Sequence, residues 1–420
     1  MQPFSFVHAA DLHLESPFQG VRAEAPAIAD CLRQATLAAY DRLIELCIER
    51  RVQFLLVAGD TYDGAYRSLH AQLRFRDGLE RLAKESIRSF VVHGNHDPAD
   101  SWTSAIQWPA STRIFGSREV ETDIVRRDGH PIAQVSGISH RERKERRNLA
   151  RKFSRGDPDV FHIGLLHCNL GTNTGHDPYA PCELSDLCSV GLDYWALGHV
   201  HQRRVPNESP HVVYPGNTQG RSIREQGERG CYVVTVDENR GVRSEFCPLD
   251  VVRWVTAEVD ISGLTTIDQL DGAISDAVQD VASGARPRPV VCRFALTGRG
   301  PLYRDIQQGK ALQELLERTR EIFGSEEPFV WVEGAELGCR PELDIEKRRE
   351  GSDFLGQLLS IAAELRESTP EIGEVRRSAL SALLDNDRVK KAIGELSDAE
   401  IAELIGEAEL LCVAQLEEGE

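Results

Sequence analysis

Short apolar runs alternate with longer segments of helical period through the first 200 residues. Five runs rich in Phe, Val, Leu and Ala predict buried strands, at residues 4–10, 54–58, 90–92, 160–166 and 194–197. Between the first three runs, apolar residues at helical spacing predict helices over residues 30–50 and 68–84. This β-α-β-α-β order predicts an α/β fold whose active site lies at the carboxyl ends of the strands.

Polar residues stand directly after each of these runs. The five sets are Asp11-Leu12-His13, Gly59-Asp60-Thr61-Tyr62-Asp63, Gly94-Asn95-His96-Asp97, His167 and Gly198-His199-Val200-His201. Residues two apart on an extended segment point to the same side, so each Asp-x-His or His-x-His pair converges. Carboxylate, imidazole and amide groups suit a divalent metal. Each short pattern could instead cap a turn, and a lone histidine is more often structural, but repetition after every strand favours a metal site.

The pattern changes after about residue 247. Strands are predicted at 251–261, 290–296 and 329–332 and helices at 266–282 and 303–323, forming a small α+β unit without a catalytic cluster. Residues 342–420 are predicted to be helical. Ser397 and Glu400 match a capping box, and an apolar stripe follows at Ile401, Leu404, Ile405, Ala408 and Leu411. This stripe either packs on its own domain or docks a partner. We therefore expect three domains, at residues 1–247, 248–340 and 341–420.

Composition supports several domains. A length of 420 residues with 41% hydrophobic content allows two or three domains with sizeable cores. No apolar stretch reaches the ~18 residues of a membrane span, and the N-terminus has no signal-peptide pattern. The sequence therefore predicts a cytoplasmic protein that does not bind a membrane. The ten cysteines include no Cys-x-x-Cys pair, which argues against a zinc ribbon or redox dithiol and favours small core residues.

The charge is distributed unevenly. The formal net charge is −18, and residues 341–420, with 20 Asp or Glu against 9 Lys or Arg, carry −11 of it. An acidic surface normally repels nucleic acid, but the first 340 residues carry only −7. Residues 141–155 contain eight basic and two acidic residues. This basic run is either a solvated helix face or a phosphate contact.

The ordered series of polar residues resembles that of the calcineurin-like metallophosphoesterases, and the resemblance spans most of residues 1–235. Further segments are similar to the DNA-repair exonuclease branch, SbcD-like and especially YhaO-like: His8–Leu14, Arg67-Ser68-Leu69, Phe75-Arg76, and Tyr214-Pro215-Gly216-Asn217 with Gly220-Arg221. The resemblance implies a metallophosphoesterase β-sandwich flanked by helices, with a small α+β domain capping the active site. From the sequence alone, that domain could equally be a stabilising or dimerising appendage.

The resemblance also implies a role for each polar residue. One ion would be held by Asp11, His13 and His201, a second by Asn95, His167 and His199, and both by Asp60. His96 would protonate the leaving oxygen or stabilise charge on the phosphoryl group, with Asp63 as its partner, while Asp97 would brace the loop. Two divalent ions would grip a phosphodiester and activate water, and these ligand types suit manganese. The ligand set is complete, which argues against a non-catalytic relative.

The implied function is a manganese-dependent DNA exonuclease or endonuclease in DNA repair. The chain contains no Gly-x-x-x-x-Gly-Lys-[Ser/Thr] loop, so any ATP-driven step needs a separately encoded SbcC-like ATPase, which the C-terminal stripe would bind. A homodimer is compatible with the sequence. Two alternatives stay open: the same metal chemistry on a cyclic nucleotide or phosphoprotein, and a DNA-end-binding scaffold with weak activity.

Overall fold

A computed structural model describes residues 1–16, 18, 26–64, 68–100, 106–171, 177–342, 345–379 and 396–416. The chain forms two compact units. One comprises Met1–Thr256, Gly284–Cys292 and Glu326–Glu333, and the other comprises Ala257–Ser283, Arg293–Ser325 and Gly334–Glu420. Within the described residues, no helix is both long and apolar enough to cross a membrane.

The first unit contains two six-stranded sheets. The strands of one are β1 (Phe4–Ala9), β2 (Phe54–Ala58), β3 (Arg88–Val92), β4 (Thr112–Ile114), β11 (Gly230–Val236) and β12 (Val242–Pro248), in the order β12-β11-β1-β2-β3-β4. Strands β1 to β4 are parallel, and β11 is antiparallel to β1. Every residue of β2 is buried, as expected for a parallel strand covered on both faces.

The second sheet repeats this parallel core. Its strands are β5 (Glu121–Arg127), β6 (His130–Ile138), β7 (Phe161–His167), β8 (Tyr194–Gly198), β9 (Arg204–Glu208) and β10 (His211–Tyr214), in the order β5-β6-β7-β8-β10-β9. Strands β6, β7, β8 and β10 are parallel. The predicted strands at 160–166 and 194–197 are therefore central in this sheet.

Aromatic side chains fill the space between the two sheets. The Phe6 ring lies 5.0 Å from Phe54 within the first sheet and 5.2 Å from Tyr194 of the second. The outer face of the first sheet is covered by α1 (Pro26–Glu49) and α2 (Leu69–Lys84), and that of the second by α3 (Leu184–Val190). The predicted β-sandwich flanked by helices is confirmed.

Several strands had no counterpart in the sequence prediction, including the β5–β6 hairpin. Asp128 and Gly129 connect its strands with φ of 50° and 80°. Two consecutive positive φ values form the tight turn that matches strand twist, and an Asp-Gly pair is a strong signal for it. The Asp128-Gly129 pair is therefore the sequence signal for this hairpin.

A third sheet and several helices follow. The sheet has the order β13-β14-β15, with bounds Arg253–Asp260, Val290–Thr297 and Val330–Leu337. The helices are α4 (Ile267–Ala285), α5 (Tyr303–Gln307) and α6 (Lys310–Phe323). A single helix over 303–323 was predicted, and this is wrong. Gly309 adopts a left-handed backbone with φ of 78°, which ends one helix before the next begins.

The C-terminal residues are helical where described. They form α7 (Ile345–Arg349), α8 (Phe354–Glu367), α9 (Thr369–Ala379) and α10 (Asp398–Leu416). The capping box is confirmed, because the Ser397 amide donates to Glu400 Oε2 at 2.6 Å and the Glu400 amide donates to Ser397 Oγ at 3.3 Å. The predicted stripe divides between two faces: Ile401 is buried, whereas Leu404 and Leu411 are 43% and 44% exposed.

The basic run at 141–155 is not a helix face. Only Ala150–Lys152 form a short 3-10 turn, and the remainder is loop. Arginines in this run bind nearby carboxylates instead of forming a helical stripe: Arg147 binds Glu145 at 2.5 Å, and Arg155 binds Asp193 at 3.2 Å. The solvated-helix interpretation is therefore wrong.

Candidate metal centre

The nine predicted site residues meet at one end of the sandwich, where β1, β2, β3, β7 and β8 end. The turns that present them are unusual. Asp11, His13, Asp60 and His199 have φ of 51°, 43°, 50° and 102°. Positive φ is uncommon outside glycine, costs about 1 kcal/mol or more per residue, and concentrates at functional sites. The Asp11 amide donates to Gly59 O at 3.1 Å and the His13 amide to Asp60 O at 3.0 Å, which fixes two of these turns together.

The first cluster consists of Asp11, His13 and His201, whose ligand-type atoms all lie within 4.8 Å of one another. The His201 Nδ1–H donates to Glu225 Oε1 at 2.7 Å, which leaves the lone pair on Nε2. That atom lies 3.3 Å from His13 Nε2. A carboxylate and two imidazoles of this geometry fit a divalent cation.

The second cluster consists of Asn95, His167 and His199. His167 Nδ1–H donates to the Ala58 carbonyl at 2.8 Å, and His199 Nε2–H donates to the Asp177 carbonyl at 2.9 Å. A carbonyl only accepts, so the other ring nitrogen of each imidazole carries the lone pair when the ring is neutral, the form that binds a metal. These two atoms lie 2.9 and 3.0 Å from Asn95 Oδ1. Three lone-pair atoms therefore face one another, which fits a bound cation.

Asp60 lies between the two clusters. Its Oδ2 is 3.4 Å from His167 Nε2 and 3.9 Å from His13 Nε2, and its Oδ1 accepts the His96 amide at 2.8 Å. Space around it is tight. A Cβ on Gly94 would lie 2.2 Å from Asp60 Oδ1, so only glycine permits this approach. The carboxylate is held where both clusters can share it.

The charges of these buried groups depend on one another. Burial opposes ionisation of Asp60, but His167 and His13 hold the pKa of its carboxyl well below the usual range. Burial alone would lower the pKa of His167, yet Asp60 and Asp11 raise it to about 9. The same carboxylates would be neutralised by a metal ion, so protons and metal compete for this site.

His96 and Asp63 form a pair beside the clusters. His96 Nδ1 lies 3.3 Å from Asp63 Oδ1, and the imidazole is 30% exposed, whereas His167 is fully buried. Burial opposes the charge on His96, but Asp63 and Asp60 raise the pKa of its imidazole above the ordinary value. A protonated imidazole at an accessible edge can donate a proton to a bound substrate.

Asp97 braces the loop, as predicted. Its Oδ1 accepts the Gly94 amide at 2.7 Å and its Oδ2 accepts the Thr61 amide at 3.0 Å. These bonds tie the turn after β3 to the turn after β2. The position of Asn95 and His96 relative to Asp60 therefore depends on this carboxylate.

Three residues that support the site through hydrogen bonds were not among the predicted site residues. Glu225 binds His201, and Arg221 Nη2 lies 3.3 Å from Glu225 Oε1. Arg221 Nη1 donates to Ser16 Oγ at 3.1 Å, and Ser16 donates to Asp63 Oδ2 at 3.0 Å. This chain of contacts joins the first cluster to the His96 pair. The Gly220-Arg221 motif was noted without a role, and it was the available signal.

Comparison with known proteins shows which families this chain resembles. The family model described as calcineurin-like phosphoesterase matches residues 4–203, and the model described as metallophosphoesterase YhaO, middle domain, matches residues 254–340. The protein named uncharacterized metallophosphoesterase YhaO from Bacillus subtilis is 38% identical over 330 residues, which cover 78% of this chain and 80% of that protein.

More distant relatives carry the name DNA double-strand break repair protein Mre11. The Mre11 of Thermoplasma acidophilum is 25% identical over 194 residues, covering 44% of this chain and 51% of that protein. The Mre11 of Methanopyrus kandleri is 24% identical over 348 residues, covering 75% of this chain and 71% of that protein. Calcineurin-like phosphoesterases use a dimetal centre, and the described residues contain candidate metal-ligand groups, among them the first cluster and the set Asp11, Asp60 and His167.

Proposed function

The chain belongs to the calcineurin-like metallophosphoesterases, in the branch of YhaO, and we propose that it is a manganese-dependent nuclease acting on DNA in repair. The metal-dependent phosphoesterase activity follows from the family. The observation that carries the site is the pair of lone-pair clusters on either side of Asp60. The choice of DNA is supported by the similarity to Mre11 proteins.

In this proposal, Asp11, His13 and His201 would hold one ion, Asn95, His167 and His199 would hold the other, and Asp60 would be shared by both. When bound, two divalent ions polarise a phosphodiester and activate water for in-line attack. The chain itself supplies position and protons. His96 protonates the leaving oxygen, and Asp63 orients its imidazole and favours the protonated form.

Manganese is proposed because of the donor set. The seven ligands are imidazoles, carboxylates and one amide, without a thiolate. Such nitrogen and oxygen donors suit manganese, whereas structural zinc sites commonly include cysteine. Glu225 and the two backbone carbonyls behind His167 and His199 fix the ring orientations before any ion arrives, which lowers the cost of binding.

The test is hydrolysis of linear DNA by the full chain with manganese, with magnesium and with a chelator. We expect cleavage with manganese and none with the chelator. A cyclic nucleotide and a phosphoprotein are assayed beside DNA under the same conditions. Efficient turnover of either one, with none on DNA, would replace the proposed substrate. DNA binding with turnover of no phosphodiester would favour the scaffold alternative.

We further propose that the C-terminal helices bind a separately encoded SbcC-like ATPase. The exposed side chains Leu404 and Leu411 lie seven residues apart on α10, hence on one face of the helix, and present an apolar patch suited to a groove. The domain at 248–340 would shape which DNA reaches the metals. Deleting residues 341–420 should preserve manganese-dependent cleavage of short DNA and abolish ATPase association.

Point variants separate docking from folding. The double variant Leu404→Asp, Leu411→Asp should lose ATPase association in a pull-down with the purified ATPase and retain the wild-type melting temperature. Ile322→Asp is the control, because Ile322 is also 44% exposed but lies on α6. If the double variant and the control bind the ATPase equally well, Leu404 and Leu411 are not part of the docking surface.

A further inference from the structure

The basic segment Arg141–Arg147, here called the basic loop, begins directly beside the metal centre. It follows His140, whose Nε2 donates to the His167 carbonyl at 2.6 Å. The rings of His140 and His167 lie 5.2 Å apart. His167 belongs to the second cluster, so His140 packs directly on that cluster. Arg141, the first residue of the basic loop, is the next residue in the chain.

A second tie fixes the middle of the basic loop. The Ala180 amide donates to the Glu145 carbonyl at 2.7 Å, and the Tyr179 ring, one residue before, lies 5.8 Å from His199. Arg143 is near enough to Tyr179 to act electrostatically on its phenol. The basic loop is thus held on the His167 and His199 side of the site.

Only part of its charge is neutralised. Arg141 pairs with Asp100 at 3.1 Å, and Arg147 pairs with Glu145 at 2.5 Å. Arg143, Lys144 and Arg146 are exposed and form no ion pair with any residue that the structure describes. Counted with the exposed Glu142 of the same loop, these three cations leave a net charge of +2 at the rim of this site, in contrast with −18 for the chain. Such a local excess attracts a polyanion.

We propose that Arg143, Lys144 and Arg146 bind backbone phosphates beside the scissile bond, so that the site prefers an extended polynucleotide to a small phosphodiester. This inference rests on the proposed nuclease function. The metal clusters can grip any phosphodiester, whereas cations outside them reward only a substrate with further phosphates. The basic loop thereby discriminates against a cyclic nucleotide, which has no flanking phosphate.

The experiment compares wild type with two triple variants. The test variant is Arg143→Ala, Lys144→Ala, Arg146→Ala. The control is Arg126→Ala, Arg127→Ala, Arg243→Ala, which removes the same charge from exposed positions. Arg126 and Arg127 pair with the start of β6, and Arg243 pairs with Thr235, which faces Ser5 in β1. These positions lie at the amino ends of the parallel strands, opposite the metal centre.

Two readouts are measured with manganese: kcat/KM on a single-stranded oligonucleotide relative to bis(4-nitrophenyl) phosphate, and oligonucleotide affinity at several salt concentrations. In the test variant we expect the kcat/KM ratio to fall about 10-fold or more. We also expect the slope of log affinity against log salt to decrease by about 2, since each lost phosphate contact on a single strand removes about 0.7. The control should match wild type in both.

The outcomes separate this inference from the proposed function. If wild type binds the oligonucleotide without cleaving it while hydrolysing the small diester, the proposed function fails. A weaker salt slope in the test variant would still support the basic loop. If the test variant and the control give the same ratio and the same slope, the basic loop is not a phosphate contact, whatever wild type cleaves.

Discussion

The two candidate metal clusters differ in the groups that orient their histidines. In the first cluster, His201 is oriented by the side chain of Glu225. In the second, His167 and His199 are oriented by the backbone carbonyls of Ala58 and Asp177. A backbone carbonyl is present whatever residue occupies its position, whereas a carboxylate is lost by one substitution. The first cluster is therefore the more vulnerable to mutation.

The difference extends to burial and charge. His201 is 17% exposed and its carboxylate partner Glu225 is 12% exposed, while His167 is fully buried. Burial opposes ionisation of Glu225, but His201 and Arg221 hold its pKa well below the usual range. The first cluster thus carries a charged outer partner near solvent, and the second is built on neutral dipoles. We expect two sites of unequal affinity.

Asp60→Asn should produce the largest effect, because Asp60 contacts both clusters. We expect loss of both ions and a fall in rate of about 1000-fold, since metal polarisation is worth several kcal/mol and each 1.4 kcal/mol is tenfold. Bound metal is counted by elemental analysis beside turnover. If the Asp60→Asn variant binds two ions and turns over substrate normally, Asp60 does not bridge the two clusters.

His96→Leu should leave both clusters intact, because His96 belongs to neither. We expect wild-type metal content with a rate about 100-fold lower, the scale of one positioned acid or base. His130→Leu, an exposed position at the start of β6, serves as the control. A parallel loss of metal and activity would identify His96 as a ligand.

Glu225→Gln should weaken only the first cluster. The amide can still accept from His201 but no longer carries charge, so we expect metal affinity at one of two sites to fall about 10- to 100-fold. Excess manganese should restore turnover. Glu228→Gln, three residues later and exposed, is the matched control. Two equally weakened sites in a metal titration would contradict the separation of the clusters.

Asp177→Ala should have the smallest effect, less than about 2-fold on metal affinity, because His199 bonds to the backbone carbonyl and not to the carboxylate. The Asp177 side chain accepts from the Tyr179 hydroxyl at 3.0 Å instead. The measurement is the same two-site titration. A loss as large as that of Glu225→Gln would mean that the second cluster also depends on a side-chain charge.

The strands that carry the site could be predicted from the sequence, because each combines an apolar run with a polar end. Asp11, Asn95 and His199 stand at such ends, and the structure brings them together. The contacts of Glu225 and Ser16 with the site could not be predicted from the sequence. Their partners are set by packing across the fold: Arg221 reaches Ser16 over 205 residues of sequence. Backbone ties to Ala58 and Asp177 were equally invisible, since a carbonyl leaves no residue signature.

The ligands come from distant parts of the chain, and this affects synthesis. Asp11 accepts the His199 amide at 3.1 Å across 188 residues, so both sheets must have formed and packed on each other before either cluster exists. Closing such long loops is entropically costly and occurs late in folding. A nascent chain still lacking β8 and His201 cannot assemble the centre. Hydrolytic capacity therefore appears only once most of the first unit has left the ribosome, and an incomplete polypeptide carries no premature activity.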